Sequence, residues 1–144
     1  MDIEIRAPKN EKEFEDYYRV RWEVLRKPWN QPQGSERDEL DKTAFHVAAF
    51  DGDKVVGCGR LHFNNAEEAQ IRYMAVDENY QGRGIGTKIL AELEKIAREN
   101  GAKTIIGNAR DSALEFYRKY GCEVEGKGHT LFGAVPHSKI SKKL

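Results

Sequence analysis

Gln81-Gly82-Arg83-Gly84-Ile85-Gly86 is the stretch on which the reading of this chain turns. It stands between a strand-like run, Ala69 to Val76, and a long amphipathic run from about Arg83 to Asn100. Glycine carries no Cβ, so its backbone amides can approach a ligand closely. The start of a helix adds N–H groups without intrahelical acceptors and a partial positive charge. Arg83 adds a formal one. A tight turn explains one glycine; three at alternate positions beside an arginine predict a phosphate or pyrophosphate site. The spacing is not that of the nucleotide folds. A dinucleotide fingerprint reads GxGxxG and follows the first strand of a parallel unit. Here it is GxGxG, and it follows an antiparallel meander. A P-loop needs GxxxxGK before Ser or Thr, and Gly86-Thr87-Lys88 has the wrong order.

Outward from the loop, the chain divides into short periodic segments. Ile3 and Ile5 alternate with charged residues in a first strand that ends by Pro8. Asn10, with Glu13 three residues on, predicts a capping box and a helix from about Glu11 to Lys27. Phe14, Tyr17, Tyr18 and Leu25 share one face of it, with Arg21 in their midst. That arginine needs a structural partner or a role at an acceptor site. Residues 28–44 read as a loop with a short helix. Phe45 to Phe50, Lys54 to Phe63 and Ala69 to Val76 form the meander, the first turn being Asp51-Gly52-Asp53. In the following helix Ile85, Ile89, Leu93, Ile96 and Ala97 mark the buried stripe, and Gly101 closes it. Then come a strand from Lys103 to Gly107 and a helix through Ala113, Phe116, Tyr117 and Tyr120, ended by Gly121. Short strands follow at Cys122 to Glu125 and Thr130 to Val135, with a loose basic end. The order is β-α-(α)-β-β-β-α-β-α-β-β, an α/β arrangement with a mixed sheet and helices on both faces.

The 144 residues, 39% apolar and 33% charged, suit a single domain with one continuous core. No apolar run approaches the roughly 20 residues that cross a bilayer, and Met1-Asp2-Ile3-Glu4 has no signal-peptide character. Cys58 and Cys122 lack metal-ligand or disulfide spacing and read as reduced, packed thiols, so no metal and a cytoplasmic location are expected. With 24 basic and 24 acidic residues, no nucleic-acid surface is expected. Glu36, Asp38, Glu39 and Asp41 form an acidic cluster: a solvated helix face, or a lure for a cationic amine. The oligomeric state, monomer or homodimer, stays open.

The residues in and around the loop resemble the signature of the GNAT N-acetyltransferase superfamily: Gln or Arg, two residues, Gly, one residue, Gly or Ala. The preceding Ile71-Arg72-Tyr73-Met74-Ala75-Val76 also matches. A second family motif matches Asn108, Ala113, Phe116-Tyr117 and Gly121. The resemblance covers about residues 45–126, and the N-terminal segment with Arg21, Asp41 and His46 is similar to the small ElaA-type branch. It implies an acyl-CoA N-acyltransferase fold, a mostly antiparallel sheet of about seven strands, and acetyl-CoA as acyl donor. By the same resemblance Met74, Ala75 and Val76 bind the pantetheine arm, and main-chain N–H groups there face the acyl oxygen. Gln81, Gly82, Arg83, Gly84, Ile85, Gly86 and Thr87 bind the pyrophosphate, while Asn108, Ala113 and Phe116 line the far wall.

The implied reaction is direct attack by a primary amine of a small molecule or peptide on the thioester. Tyr117 occupies the family's tyrosine position, and a phenol pKa near 10 suits an acid that protonates a thiolate; a core aromatic would have the same spacing. For the base, His46, His62, Glu67, Glu68 and an ordered water remain open, with His129 and His137 weaker. A catalytically silent acyl-CoA-binding regulatory module is the alternative from another class, and a nucleotide-phosphate binder a third. Acceptor identity and acyl-chain preference stay unassigned.

Overall fold

Ile3 and Ile5 do lie in a strand. In the computed structural model, which describes residues 2–144, β1 (Ile3–Arg6) pairs antiparallel with β2 (Phe45–Asp51). Between them runs α1 (Glu11–Leu25), begun by Asn10, whose side-chain oxygen accepts the Glu13 N–H at 2.9 Å. The reciprocal arm of the box does not close on Asn10. The Glu13 carboxylate accepts the Lys9 N–H instead and pairs with Arg6. The helix stops at Leu25, and a 3₁₀ turn at Lys27–Trp29 uses the preset φ of Pro28. A second 3₁₀ turn spans Glu39–Lys42.

The meander is completed by β3 (Lys54–Phe63) and β4 (Glu68–Val76), and the glycine loop leads into α2 (Ile85–Glu99). Then follow β5 (Thr104–Arg110), α3 (Leu114–Tyr120), β6 (Glu123–Leu131) and β7 (Val135–Lys143). The seven strands form one sheet in the order β1-β2-β3-β4-β5-β7-β6, antiparallel except for the β4–β5 pair. Tyr17, Val20 and Leu25 of α1 pack on one face with Ala48, Phe50 and Val55. On the other, α2 buries Ile85, Ile89, Leu90, Leu93 and Ala97, with Tyr117 of α3 in the same cluster. Each of the larger aliphatic side chains stabilises the fold by about 1.5–3 kcal/mol on burial.

Two sequence expectations are corrected. The strand expected to end at Gly107 runs on to Arg110, because β7 pairs with it as far as Arg110 opposite His137. The C-terminal segment is not two short strands and a loose basic end. β6 and β7 are a long hairpin, and β7 lies inside the sheet between β5 and β6. Lys139, Lys142 and Lys143 obscure the period-2 signal, but Val135, His137 and Ile140 are buried and Lys142 bonds Glu94 of α2 at 2.6 Å. Among the described residues no helix is long and apolar enough to cross a membrane. Both cysteines are free and buried.

Candidate functional site

The one parallel pair in the sheet is also incomplete. β4 and β5 are in register from Glu68 opposite Thr104 to Ile71 opposite Gly107, and there the pairing stops. Both strands continue, β4 to Val76 and β5 to Arg110, each still bonded to its outer neighbour. Their facing edges therefore diverge into a gap bordered by main-chain N–H and C=O groups, able to take an extended ligand as an added strand. Met74, Ala75 and Val76 lie on one side of this gap and Asn108 on the other.

A bulge sets the shape of the β4 side. Arg72 pairs with Arg60 and Ala75 with Cys58, so Tyr73 and Met74 together oppose Gly59. Tyr73 takes φ +58°, a conformation uncommon for an aromatic residue. Its carbonyl accepts the Cys58 thiol at 3.3 Å, and the guanidinium groups of Arg21 and Arg60 lie 4.1 and 4.9 Å from its ring centre. Gly59 is needed opposite: a Cβ there would come within 2.7 Å of Met74 Sδ and 2.8 Å of Ile89 Cγ2.

At the far end of β4, Gly82 and Gly84 adopt φ of +77° and +79°, and Gly84 opens α2 without a side-chain cap. A Cβ on either would meet nothing within 4 Å, so the space beside the loop is open to a ligand. The first N–H groups of α2 have no intrahelical acceptor. Gln81 is tied back to the Val76 carbonyl at 3.1 Å, and Arg83 lies over the Tyr80 ring at 5.3 Å. Gly86 has a packing reason instead, since its Cβ would press on the Phe116 ring at 3.3 Å. These features fit a pyrophosphate.

A cavity of about 360 Å3 opens where β4 and β5 part. Of the residues expected from the sequence it reaches Met74, Asn108, Ala113 and Tyr117; Ala75, Val76, the glycine loop, Thr87 and Phe116 lie outside it. Tyr117 is buried, its ring 4.9 Å from that of Phe116, and its hydroxyl has no hydrogen-bond partner among the described residues. Burial raises the phenol pKa well above its usual value, with Cys122 adding to the effect.

The histidines separate clearly. His46 belongs to a structural network: its Nε2 lies 2.8 Å from the Asp41 carbonyl and its Nδ1 2.9 Å from the Tyr17 hydroxyl. Glu67 pairs with Lys103 and Glu68 accepts from Asn64, neither on the cavity. His62 lines it, with Nδ1 buried and lacking a partner among the described residues. His137, also on the cavity, is buried and donates Nδ1–H to the Val135 carbonyl at 2.9 Å, which leaves Nε2 as a lone pair. His129 stacks on it at 4.7 Å. Burial holds both His62 and His137 below the ordinary histidine pKa. The sequence carries little signal for His137, whose place beside β5 depends on the pairing of β7.

Three of the four residues of the acidic cluster are engaged within the protein, while Glu39 is exposed and pairs with Lys42 at 3.4 Å. Asp41 bonds Arg21 at 2.9 Å and Arg60 at 3.1 Å; Asp38 bonds Arg60 and, at 3.0 Å, Arg72. Glu36 is turned inward and accepts the Gly34 N–H. Arg21 is thus a structural cation, fully buried with Asp41, the Glu36 carbonyl and the Tyr17 hydroxyl around it.

Comparison with known proteins agrees with this geometry. The model of the acetyltransferase (GNAT) family matches residues 14–122. The uncharacterized N-acetyltransferase YjcF of Bacillus subtilis is 34% identical over 134 residues, 93% of this chain and 95% of that one. Among solved structures, Escherichia coli ElaA superposes with a TM-score of 0.82 at 16% identity, over 99% of both chains. A GNAT family acetyltransferase from Elizabethkingia anophelis with acetyl-CoA bound gives 0.79 at 17%, over 99% of this chain and 98% of that one. A parted parallel pair, an open glycine loop at a helix start and a family match across three-quarters of the sequence converge, and the chain belongs to the GNAT acetyltransferase family.

Proposed function

We propose that the protein transfers the acetyl group of acetyl-CoA to a primary amine of a small molecule or peptide by direct attack of the amine on the acyl carbon. The observation that carries this reading is the Tyr117 hydroxyl, without a hydrogen-bond partner among the described residues, at the cavity where β4 and β5 separate. Acetyl-CoA would supply a thioester, an activated acyl group with a thiol leaving group. The exposed edges of β4 and β5 would hold the pantetheine arm as a strand, with Met74, Ala75, Val76 and Asn108 beside it. The amides of Gln81 to Thr87 would receive the pyrophosphate, with Ala113 and Phe116 along the far wall.

The bulge at Tyr73 and Met74 turns main-chain groups out of the β3–β4 ladder. One N–H there would face the charge that builds on the acyl oxygen, already positioned and needing no reorganisation. Tyr117 would give its proton to the departing sulfur. The same dry surroundings that raise the phenol would raise a thiolate, so donor and acceptor stay matched. His137 Nε2, neutral at pH 7, would take the amine proton, directly or through a water.

Thiol release from acetyl-CoA against a panel of primary amines tests this. Turnover with at least one class of amine is the expected result. Stabilisation by CoA with no turnover across the panel would point to the silent binding module instead.

A further inference from the structure

The side chains lining the cavity include Arg26, Arg72 and Arg110 and no Asp or Glu. Arg72 has a counterion in Asp38, at 3.0 Å. Arg26 and Arg110 have no counterion among the described residues. Arg26 donates from Nε to the Ser35 carbonyl at 3.2 Å and from Nη1 to the Leu25 carbonyl at 3.2 Å. Arg110 donates from Nη2 to that same Leu25 oxygen at 2.9 Å. Asp111, next to Arg110 in the chain, accepts from Ser138 Oγ at 2.7 Å instead.

Two guanidinium groups bonded to one oxygen have their nearest nitrogens within about 6 Å, a repulsive contact that matters where water is scarce. Arg26 is buried and Arg110 half-buried. Burial weakens the hold of both on their protons, and for Arg110 the charge of Arg26 adds to it. Capping the C-terminal carbonyl of α1 requires one cation, and the second is not explained by it. Nor are the donors used up: a guanidinium has five N–H groups, and Arg110 commits one to the protein. The Arg26 guanidinium lies 5.6 and 5.2 Å from the centres of the Tyr73 and Phe132 rings and also bonds the Tyr73 side chain, contacts that steady its plane. Leu25, Leu40 and Leu131 give the same cavity an apolar wall.

We propose that Arg26 and Arg110 form an oxyanion subsite in this cavity, and that the preferred acceptor is a small amine that also carries a carboxylate. The word acceptor rests on the acetyl-transfer reading above; the subsite does not. A planar carboxylate receives paired N–H bonds from guanidinium edges and removes the repulsion between them. A purely cationic amine would add a third positive charge.

The test uses the full chain with saturating acetyl-CoA and matched acceptors: 4-aminobutyrate against butylamine, leucine against 3-methylbutylamine, and 3-aminopropylphosphonate to separate phosphonate from carboxylate. The carboxylate member of each pair is expected to have the higher kcat/KM by tenfold or more. Arg110→Gln should abolish that preference through the acceptor KM while the acetyl-CoA KM holds, and Arg110→Lys should retain part of it. Equal or better use of the carboxylate-free amines by the wild type would overturn the proposal. So would an Arg110→Gln effect confined to the acetyl-CoA KM, and a phosphonate preference would replace carboxylate by that oxyanion. If no amine is acetylated, calorimetric titration of the CoA-loaded protein with butyrate and with butylamine decides. Butyrate binding lost in Arg110→Gln keeps the subsite and rejects acetyl transfer; no butyrate binding rejects the subsite.

Discussion

Replacing Tyr117 by Phe removes one oxygen and leaves the packing of α3 against Phe116 in place. Because that hydroxyl has no hydrogen-bond partner among the described residues, no protein bond is broken by its loss. Relieving a largely buried, unpaired polar group is neutral or slightly stabilising, so the unfolding free energy should change by less than about 0.5 kcal/mol. Catalysis should respond very differently. A positioned acid contributes about 10²–10⁴-fold, or roughly 2.7–5.4 kcal/mol of barrier at 1.36 kcal/mol per decade. The assay is steady-state thiol release at saturating acetyl-CoA and acceptor, with urea unfolding of the same preparation. The expected signature is a fall in kcat of at least a hundredfold, an acetyl-CoA KM within about threefold of wild type, and an unchanged urea midpoint. A kcat within threefold of wild type would remove Tyr117 from the reaction and leave it as a core aromatic. Tyr17→Phe is the contrast: that hydroxyl contacts His46, Gly59 and Arg21, and its loss should show in stability.

Other perturbations test separate parts of the structure. Asp41→Asn removes the carboxylate shared by two fully buried arginines and should cost about 3–5 kcal/mol in urea unfolding; a loss below 1 kcal/mol would mean that the network is not load-sharing as drawn. Gly84→Val imposes a side chain on a φ of +79° and fills open space in the loop, so the CoA dissociation constant should rise at least tenfold. Gly101→Val, at φ +90° beyond the opposite end of α2, is the control and should leave CoA binding alone. For pH, burial depresses the pKa of His46 and His137 below 6.5, so their contribution to stability is complete above pH 6.5 and is lost as pH falls through the folded values. A urea midpoint flat from pH 7 down to 5 would contradict their burial as neutral rings. His137→Gln should also remove an acidic limb of kcat/KM that His62→Gln retains, the reverse outcome moving the base to His62.

What the sequence disclosed depended on how local its physical cause was. The glycine loop was legible because its glycines and a helix start are consecutive, and the meander because its alternation and the Asp51-Gly52-Asp53 turn are short-range. The bulge was not. It places Tyr73, not a glycine, at positive φ, and its cause is spread over Cys58, Gly59 and the arginines around the ring. The place of Arg21 on the apolar face of α1 shows that it needs a partner, but Asp41, Asp38, Arg60 and Arg72 meet only after folding, across separations of 19 to 34 residues. β7 escaped because its lysines resemble a solvated tail, and with it went the place of His137 at the cavity.

The arginines near Tyr73 then divide by what answers their charge. Arg21 and Arg60, fully buried, are held by Asp41 and Asp38, and their position under the bulge makes them supports for an unusual backbone rather than recognition groups. Arg26 and Arg110 receive carbonyl oxygens and, for Arg26, the Tyr73 hydroxyl, none of them an anion. Charges that folding itself can satisfy are satisfied here by aspartates recruited from one short segment, Asp38 to Asp41. That segment had carboxylates to offer, and none is turned toward Arg26 or Arg110. An unanswered pair of cations in a chain of zero net charge is a cost in the free protein, offset only when an anion enters the cavity. Neutralising one of the pair should therefore stabilise the unliganded fold slightly: Arg110→Gln is expected to raise the urea midpoint in the absence of acceptor. It should also lose the further stabilisation that butyrate gives the wild type. A variant that unfolds earlier than wild type under both conditions would show that Arg110 serves α1 as a cap and nothing more.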